Sequence, residues 1–319
     1  MRHIFIINPS AGRKNSAHKL LERVDAVFSP GEYEAAYTAG EGDARALAER
    51  AVALGEPVRL YACGGDGTLN EVVNAAAGRD WAAVTNVPMG TGNDFLRVFS
   101  PEGRGRFTDL AALRDGPQAG VDLMDCNGLL GLDVVCAGVD ARVAAEVHRF
   151  KRLPVVGGSL AYILSLAAEV AKGITRPMTV DMGPIHYSGP VAILCVCNGR
   201  YYGGGFCPVP EAQPDDGVLD MLLVGDIGRL AFGRYVGRYA AGRYRECPEL
   251  IQAWHGDAVT FSAGEKITVV VDGEVLRDTS FTLRLSEKKV NFFYPRDVFW
   301  RESSQTANNL VGAVSENRR

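Results

Sequence analysis

Within its 319 residues the chain has no apolar run long enough to cross a bilayer as a helix. The most helical apolar stretch, Ser159 to Ala171, is about 13 residues and ends near Glu169, short of the ~20 that a span requires. The 7 cysteines are odd in number, scattered and never spaced CxxC. Neither a zinc cluster nor a disulfide framework is therefore indicated, and reduced core thiols in a cytoplasmic protein are expected. Cys195 and Cys197, separated by Val196, are expected on opposite faces of a strand. Basic charge is not in excess either. With 34 Lys and Arg against 38 Asp and Glu, the net charge of −4 gives no whole-protein attraction to nucleic acid or anionic lipid. Any such contact has to be local. There is no internal repeat and no low-complexity tract. Met1 to Pro9 runs straight into a strand pattern, which leaves no room for a signal peptide.

What is present is an ordinary globular composition, 47% apolar and 23% charged, in a length that suggests about two domains. The 37 glycines gather in turns, and one turn organises the rest. From Arg59 the sequence reads as a short apolar strand, then Gly64-Gly65-Asp66-Gly67, then a helix. Thr68 with Glu71 three residues later reads as a capping box that opens this helix. Glycine lets a backbone approach a ligand closely, and free N–H groups at a helix start suit a phosphate. A tight strand-to-helix connection alone would explain the glycines. It would not explain a carboxylate inside the turn, which is useful for holding Mg²⁺ or a hydroxyl.

Upstream, Ile4–Ile7, Tyr33–Thr38 and Val58–Ala62 read as strands, with helices from about Ser16 to Phe28 and from Gly42-Asp43-Ala44 to Leu54 between them. This alternation predicts a doubly wound parallel sheet, whose ligands sit at the carboxyl ends of strands. Asn8, Ser10, Gly12, Thr38 and the Gly64–Thr68 turn all fall at those ends. After a helix Leu69–Ala77, a fourth strand Ala82–Val87 leads into Pro88-Met89-Gly90-Thr91-Gly92-Asn93-Asp94-Phe95, a second polar glycine loop. Its Thr91, Asn93 and Asp94 converge on the same crevice, so a phosphate or nucleotide site is expected there.

Beyond Gly120 short alternating runs predict a mostly antiparallel sheet or sandwich. They are Val121–Asp125, Gly131–Cys136, Met178–Met182, Val191–Cys197, Leu219–Val224, Ala258–Ser262, Lys266–Val271 and Phe281–Leu285. Helices are expected near Ser159–Lys172 and Arg229–Tyr244. A last strand, Val290–Tyr294, precedes the polar tail Ser303–Arg319, whose end is expected to be disordered.

Together these motifs resemble the bacterial diacylglycerol kinase-like lipid kinases, a family that includes sphingosine and ceramide kinases. The resemblance is carried by Asn8-Pro9-Ser10-Ala11-Gly12, the Gly64–Glu71 turn and the Pro88–Phe95 loop. Further on it is carried by Val196-Cys197-Asn198-Gly199 with Gly203-Gly204-Gly205, Asp215–Asp220 and Val271-Asp272-Gly273-Glu274. It extends nearly to residue 300, and the order and spacing of the motifs are more specific than any one of them.

The resemblance implies an ATP-binding α/β domain over 1–121, a β-rich lipid-substrate domain over 122–289, and a segment 290–319 that returns to the first. ATP would lie in the cleft between them. It would be contacted by Asn8, Pro9, Ser10, Ala11, Gly12, Thr38, Gly64, Gly65, Asp66, Gly67, Thr68, Leu69, Asn70, Thr91 and Asn93. Asp272-Gly273-Glu274 would be the general-base segment, with Glu274 favoured and Asp272 the rival. Asp-Gly between strands is also a hairpin signal, and a turn can present a carboxylate. Gln213, Asp216 and Val218 would form a structural Mg²⁺ loop, since oxygen-only donors suit that ion; a plain Asp-Gly turn is the other reading. One departure concerns the segment Asp133-Val134-Val135-Cys136-Ala137-Gly138, where many members of the family it resembles carry an asparagine in the strand.

The activity implied is transfer of the ATP γ-phosphate to a lipid hydroxyl, with diacylglycerol first among the acceptors and Asp66 orienting Mg²⁺ or the hydroxyl. A NAD kinase or phosphofructokinase acting on a soluble substrate shares the Gly-Gly-Asp-Gly turn, and a non-catalytic nucleotide or lipid sensor is the alternative of another class. Arg229, Arg234, Arg238, Arg243 and Arg245 are interleaved with Phe232, Tyr235, Tyr239 and Tyr244, and no acid lies among them. That pattern, like His148-Arg149-Phe150-Lys151-Arg152, suits either peripheral contact at the inner membrane face or a solvated helix face. No nucleic-acid module is present, and a homodimer is an expectation of the resemblance alone.

Overall fold

The structure, a computed structural model, describes residues 1–13, 15–90, 92–99, 103–151 and 168–299. Strands β1 (Arg2–Ile7), β2 (Tyr33–Tyr37), β3 (Val58–Gly64) and β4 (Ala82–Pro88) are connected by helices α1 (Ser16–Asp25), α2 (Asp43–Val52) and α3 (Asp66–Ala76). All four strands run parallel. Every residue of β3 is buried, Arg59 included, as a strand covered on both faces requires. β5 (Gln118–Val121) and β16 (Val290–Phe293) complete the sheet in the order β2-β1-β3-β4-β16-β5. β16 enters from far along the chain, parallel to β4 and antiparallel to β5. The order reverses between β1 and β3, so a crevice opens at their carboxyl ends, immediately before Asn8 and Gly65.

The second sheet is antiparallel throughout its pairings. It comprises β6 (Met124–Cys126), β7 (Leu129–Gly131), β8 (Val134–Gly138), β9 (Arg176–Met182), β10 (Ile185–Val191), β11 (Ile193–Cys197), β12 (Leu219–Val224), β13 (Ile251–Gly256), β14 (Ala258–Val271) and β15 (Glu274–Leu285). The first part of β14 pairs with β9 and its last part with β8, so the sheet folds over on itself. Val180, Leu194, Met221, Phe261, Val269 and Phe281 fill the sandwich interior. The opposite face of β11 and β12 is covered by the helix Arg229–Ala240 through Phe232 and Tyr239.

Several sequence expectations change here. The run Val121–Asp125 is divided between the two sheets, because the Asp122 N–H turns away to the Pro214 carbonyl at 2.8 Å. Gly131–Cys136 breaks at Leu132 and Asp133, whose N–H groups go to the Asp272 carboxylate. Val191–Cys197 breaks at Ala192, and the two segments Ala258–Ser262 and Lys266–Val271 are one irregular strand. β7, β10, β13 and the helix Val139–Lys151 are additions. Of the expected helix Ser159–Lys172, only 168–172 is described, and it is helical. The side chains of 148–152 and the tail 303–319 lie outside the described residues. Cys195 and Cys197 share a face, with their sulfurs 3.6 Å apart, because strand side chains repeat every second residue; Val196 is the one that points the other way. All seven cysteines are free thiols.

The capping box at Thr68 is also overturned. α3 begins at Asp66 behind an extended Gly65, with no side-chain cap. Thr68 is thus inside the first turn and buried, and its hydroxyl accepts from Asn8 Nδ2 at 3.3 Å. Glu71 instead caps the neighbouring helix, accepting from the N–H groups of Gly42 (2.9 Å) and Arg45 (3.1 Å) at the start of α2.

Arg59 on β3 anchors the far end of this sheet. Its guanidinium is buried and donates to the carbonyls of Leu113 (3.0 Å), Arg114 (2.6 Å) and Gly116 (2.7 Å) beneath the Phe293 ring. Arg59→Met leaves three carbonyls without donors and should cost about 2–4 kcal/mol of stability, read as a lowered urea midpoint.

Candidate active site

The crevice is lined by two backbone turns held together by one carboxylate. Asp66, the first residue of α3, accepts the Asn93 N–H at 2.8 Å on Oδ2 and the Asp94 N–H at 2.6 Å on Oδ1. The Gly64 carbonyl accepts the Met89 N–H at 3.0 Å, so the loop after β4 is fixed to the turn after β3. A Cβ on Gly92 would stand 2.1 Å from Asp66 Oδ2, and one on Gly64 would stand 2.3 Å from Thr68 Oγ1. These glycines are required by close approach. Gly12, at φ +82°, needs its freedom for the same reason, since a Cβ there would meet the Met89 carbonyl at 2.5 Å. Asn8 closes the third side, its N–H on the Cys63 carbonyl at 2.9 Å and its Oδ1 accepting the Ser10 N–H at 3.0 Å.

Across the crevice lies the β14–β15 hairpin. Asp272 (φ 49°) and Gly273 (φ 100°) both take positive φ, the geometry of the tight Asp-Gly turn. The Asp272 carboxylate is buried and accepts from the N–H groups of Leu132, Asp133 (3.0 Å) and Val134 (3.0 Å) and from Asn70 Nδ2 (3.1 Å). Burial raises its pKa, and those donors oppose the rise. Glu274, two residues on, is half-buried; its Oε1 is 3.7 Å from where a Gly67 Cβ would be, over the glycine turn. Its carboxylate takes no hydrogen bond from the described residues. Its pKa is raised by burial first, then by the charges of Glu41, Glu71 and Asp272.

Asp94 and Asp133 complete an acidic wall. Asp94 accepts from Arg97 Nε (3.1 Å) and from the Gly204 N–H (2.7 Å), and burial followed by the Asp66 charge raises its pKa. Asp133 is buried, and its Oδ1 has no hydrogen-bond partner among the described residues. Burial, then Asp272, Asp94 and Asp66, push its pKa well up.

Thr38 ends β2 beside this crevice, with its N–H on the Ile7 carbonyl at 2.9 Å. Thr91 lies outside the described residues. Leu69 is core, 3% exposed, and Asn70 faces the second sheet, bonding the Leu130 carbonyl (3.0 Å) as well as Asp272. Gln213, Asp216 and Val218 sit apart from Asp66, beside Asp122. Asp122 accepts the Gly217 N–H at 2.8 Å and pairs with Lys289 Nζ at 2.6 Å. Among the described residues no three His, Cys, Asp or Glu side chains gather as metal ligands. The Gln213 and Val218 carbonyls carry no hydrogen bond from the described residues, and the exposed Asp216 carboxylate accepts the Val218 N–H at 3.0 Å. One carboxylate and two open carbonyls fit a hard cation.

Sequence reasoning gave no role to Asn74, to Asp122, or to Asn198, which it quoted only as part of a motif. Asn74 Nδ2 reaches the Leu130 carbonyl at 2.9 Å, and Asn198 Nδ2 reaches the carbonyls of Asp122 (2.9 Å) and Leu132 (2.8 Å). Two asparagines one turn apart inside a helix, Asn70 and Asn74, were the available signal, because asparagine is a poor helix former without a task.

Residues 2–126 match the diacylglycerol kinase catalytic domain, and 133–293, more than half of the chain, match the YegS C-terminal NAD kinase beta sandwich-like domain. The chain belongs to the bacterial diacylglycerol kinase-like lipid kinase family. Among its relatives, a "Probable lipid kinase YegS-like" protein of Pseudomonas aeruginosa is 35% identical over 212 residues, 60% of this chain and 65% of that one. A protein of the same name from Pseudomonas fluorescens is 34% identical over 187 residues, 57% of this chain and 60% of that one. The chain thus matches somewhat less than two thirds of these relatives' length. A crystal structure of a diacylglycerol kinase from Bacillus anthracis superposes with a TM-score of 0.65 at 20% identity, covering 92% of this chain and 96% of that one, which establishes the fold. No described helix of this family member is long and apolar enough to cross a membrane.

Asp133 yields a prediction. Its ordinary carboxylate value of 3.8 is raised in the folded state, so the unfolded chain releases the proton first and stability is lost as pH climbs from that value toward the raised one. Asp133→Asn removes the loss. Its melting temperature should exceed the wild type's by several degrees at pH 7.5, and the gap should close near pH 4.

Proposed function

We propose that this chain is an ATP-dependent lipid kinase that transfers the γ-phosphate to a lipid hydroxyl, with diacylglycerol the favoured acceptor and phosphatidic acid the product. The observation that carries this reading is Glu274, an open carboxylate of raised pKa held over a glycine turn at the sheet's switch point. Phosphoryl transfer needs alignment and charge neutralisation more than covalent help. The backbone N–H groups around Asn8–Gly12 and Gly64–Thr68 would receive the nucleotide phosphates. Glu274 would accept the lipid hydroxyl proton as its oxygen bonds to the γ-phosphorus and the bond to ADP breaks. Asp272, with its oxygens already taken by backbone and amide donors, positions the hairpin and leaves Glu274 as the base. Asp66 holds the two loops in register. Asp216 with the Gln213 and Val218 carbonyls would hold Mg²⁺, which when bound supplies a fixed positive charge to the loop.

The test is ATP-dependent labelling of a lipid panel in detergent micelles, with NAD and fructose 6-phosphate as controls. A labelled lipid, lost by about 10²–10⁴-fold in kcat for Glu274→Gln, is expected. Labelled NAD or sugar phosphate would instead favour the soluble-substrate reading. The base works ionised, so kcat/KM should fall as pH drops through a value above the ordinary 4.5. Glu41→Gln removes one charge that raises it and should move that acidic limb to lower pH.

The loop is tested without turnover. Mg²⁺ should raise the melting temperature of the wild type, and Asp216→Ala should abolish the rise.

A further inference from the structure

The helix Arg229–Ala240 carries a face that the fold does not use. Its inner side chains Phe232, Tyr235, Val236 and Tyr239 are seated against the second sheet. Leu230, one residue from its start, is 93% exposed. Arg234 on the same outer face makes no ion pair among the described residues and rests only near the Tyr235 ring, 5.9 Å from its centroid. Arg229 donates to the carbonyls of Val170 and Ala171, both at 3.0 Å, which leaves its charge uncancelled. Arg238 and Arg243 share one carboxylate, Glu246, each at 3.8 Å, and Arg245 pairs with Glu211 at 2.6 Å. Asp226 and Glu249 flank the segment, exposed. Over 226–249 five arginines still outnumber three acids, inside a chain whose net charge is −4. A local basic face with one projecting leucine complements an anionic, partly apolar surface.

The same helix touches the loop 202–207, which reaches the crevice, through two contacts. Tyr239 Oη lies 3.1 Å from Tyr202 Oη, and the Cys207 N–H donates to the Ala240 carbonyl at 2.9 Å. Tyr202 leads directly into Gly203-Gly204-Gly205, whose Gly204 N–H bonds Asp94, which in turn bonds Asp66. We propose that the outer face of the helix Arg229–Ala240 docks the protein on an anionic bilayer, with Leu230 entering the interface and Arg229 and Arg234 facing lipid phosphates. The docked helix then lies next to the loop that meets the catalytic crevice. This inference rests on the lipid-acceptor reading for its purpose, but its test does not use turnover.

The experiment is co-sedimentation of the full chain, without ATP, on vesicles of phosphatidylcholine alone or with 30 mol% phosphatidylglycerol. The wild type should bind the anionic vesicles at least tenfold more tightly and lose that preference in 0.5 M NaCl. Arg234→Gln should weaken binding about fivefold, and the double variant L230E/R234E should abolish it, with unchanged melting temperatures and unchanged phosphorylation of a short-chain, micelle-free lipid. Equal binding by the variants, or equal binding to both vesicle types, overturns the proposal. So does retention on RNA or DNA in place of vesicles. Docking without any lipid phosphorylation would leave this inference standing and sink the kinase reading.

Discussion

The Asp272 carboxylate is the interaction on which the rest of the site depends. It is buried, it begins a tight turn of positive φ, and four donors from two segments point at it. Asn70 comes from α3 on the glycine turn, and the backbone donors at 132–134 come from the break between β7 and β8. A carboxylate removed from water in this way is tolerable only because its charge is shared among those donors. Its satisfaction fixes the hairpin against α3, and that alone decides where Glu274 stands.

Charge concentration is the second constraint. Beside burial, the Asp66 charge raises the pKa of Asp94, and the charges of Asp272, Asp94 and Asp66 raise that of Asp133. Asp66 and Asp272 are each held by N–H groups, and Asp94 by Arg97 and the Gly204 N–H. Asp133 has the least help, its Oδ1 being without a hydrogen-bond partner among the described residues. An acidic wall of this kind suits a site that receives a nucleotide together with cations, since bare phosphates would be repelled by it. In the proposed reaction the backbone N–H groups of the glycine turns would meet the phosphates, and the acids would meet the cations that accompany them.

Much of this was legible in the residues. The alternation of apolar runs with amphipathic ones predicted the parallel sheet, and glycines at successive strand ends predicted a crevice at the strands' carboxyl ends. The failures share one cause. Thr68 and Glu71 have the spacing of a capping box, yet Glu71 caps a different helix, because α2 starts beside it in space. Val121–Asp125 reads as one strand, yet Asp122 turns toward a loop more than ninety residues away. The resemblance offers Asn70 as a nucleotide contact, and its amide in the structure bonds the Leu130 carbonyl and Asp272. In each case local pattern named a competent group, and a distant partner claimed it.

The sequence by itself determined the architecture and the inventory of the site: which segments alternate, where glycine is obligatory, and which carboxylates are available. Periodicity and turn chemistry are local properties, so they survive in one dimension. The tertiary structure decided the assignments among equals. Asp272 and Glu274 are neighbours of similar chemistry in the chain, but burial and four donors occupy the first, while the second is left open above Gly67. Hydrogen-bond capacity is finite, and which carboxylate has capacity left for a substrate depends on which partners the fold brings to it.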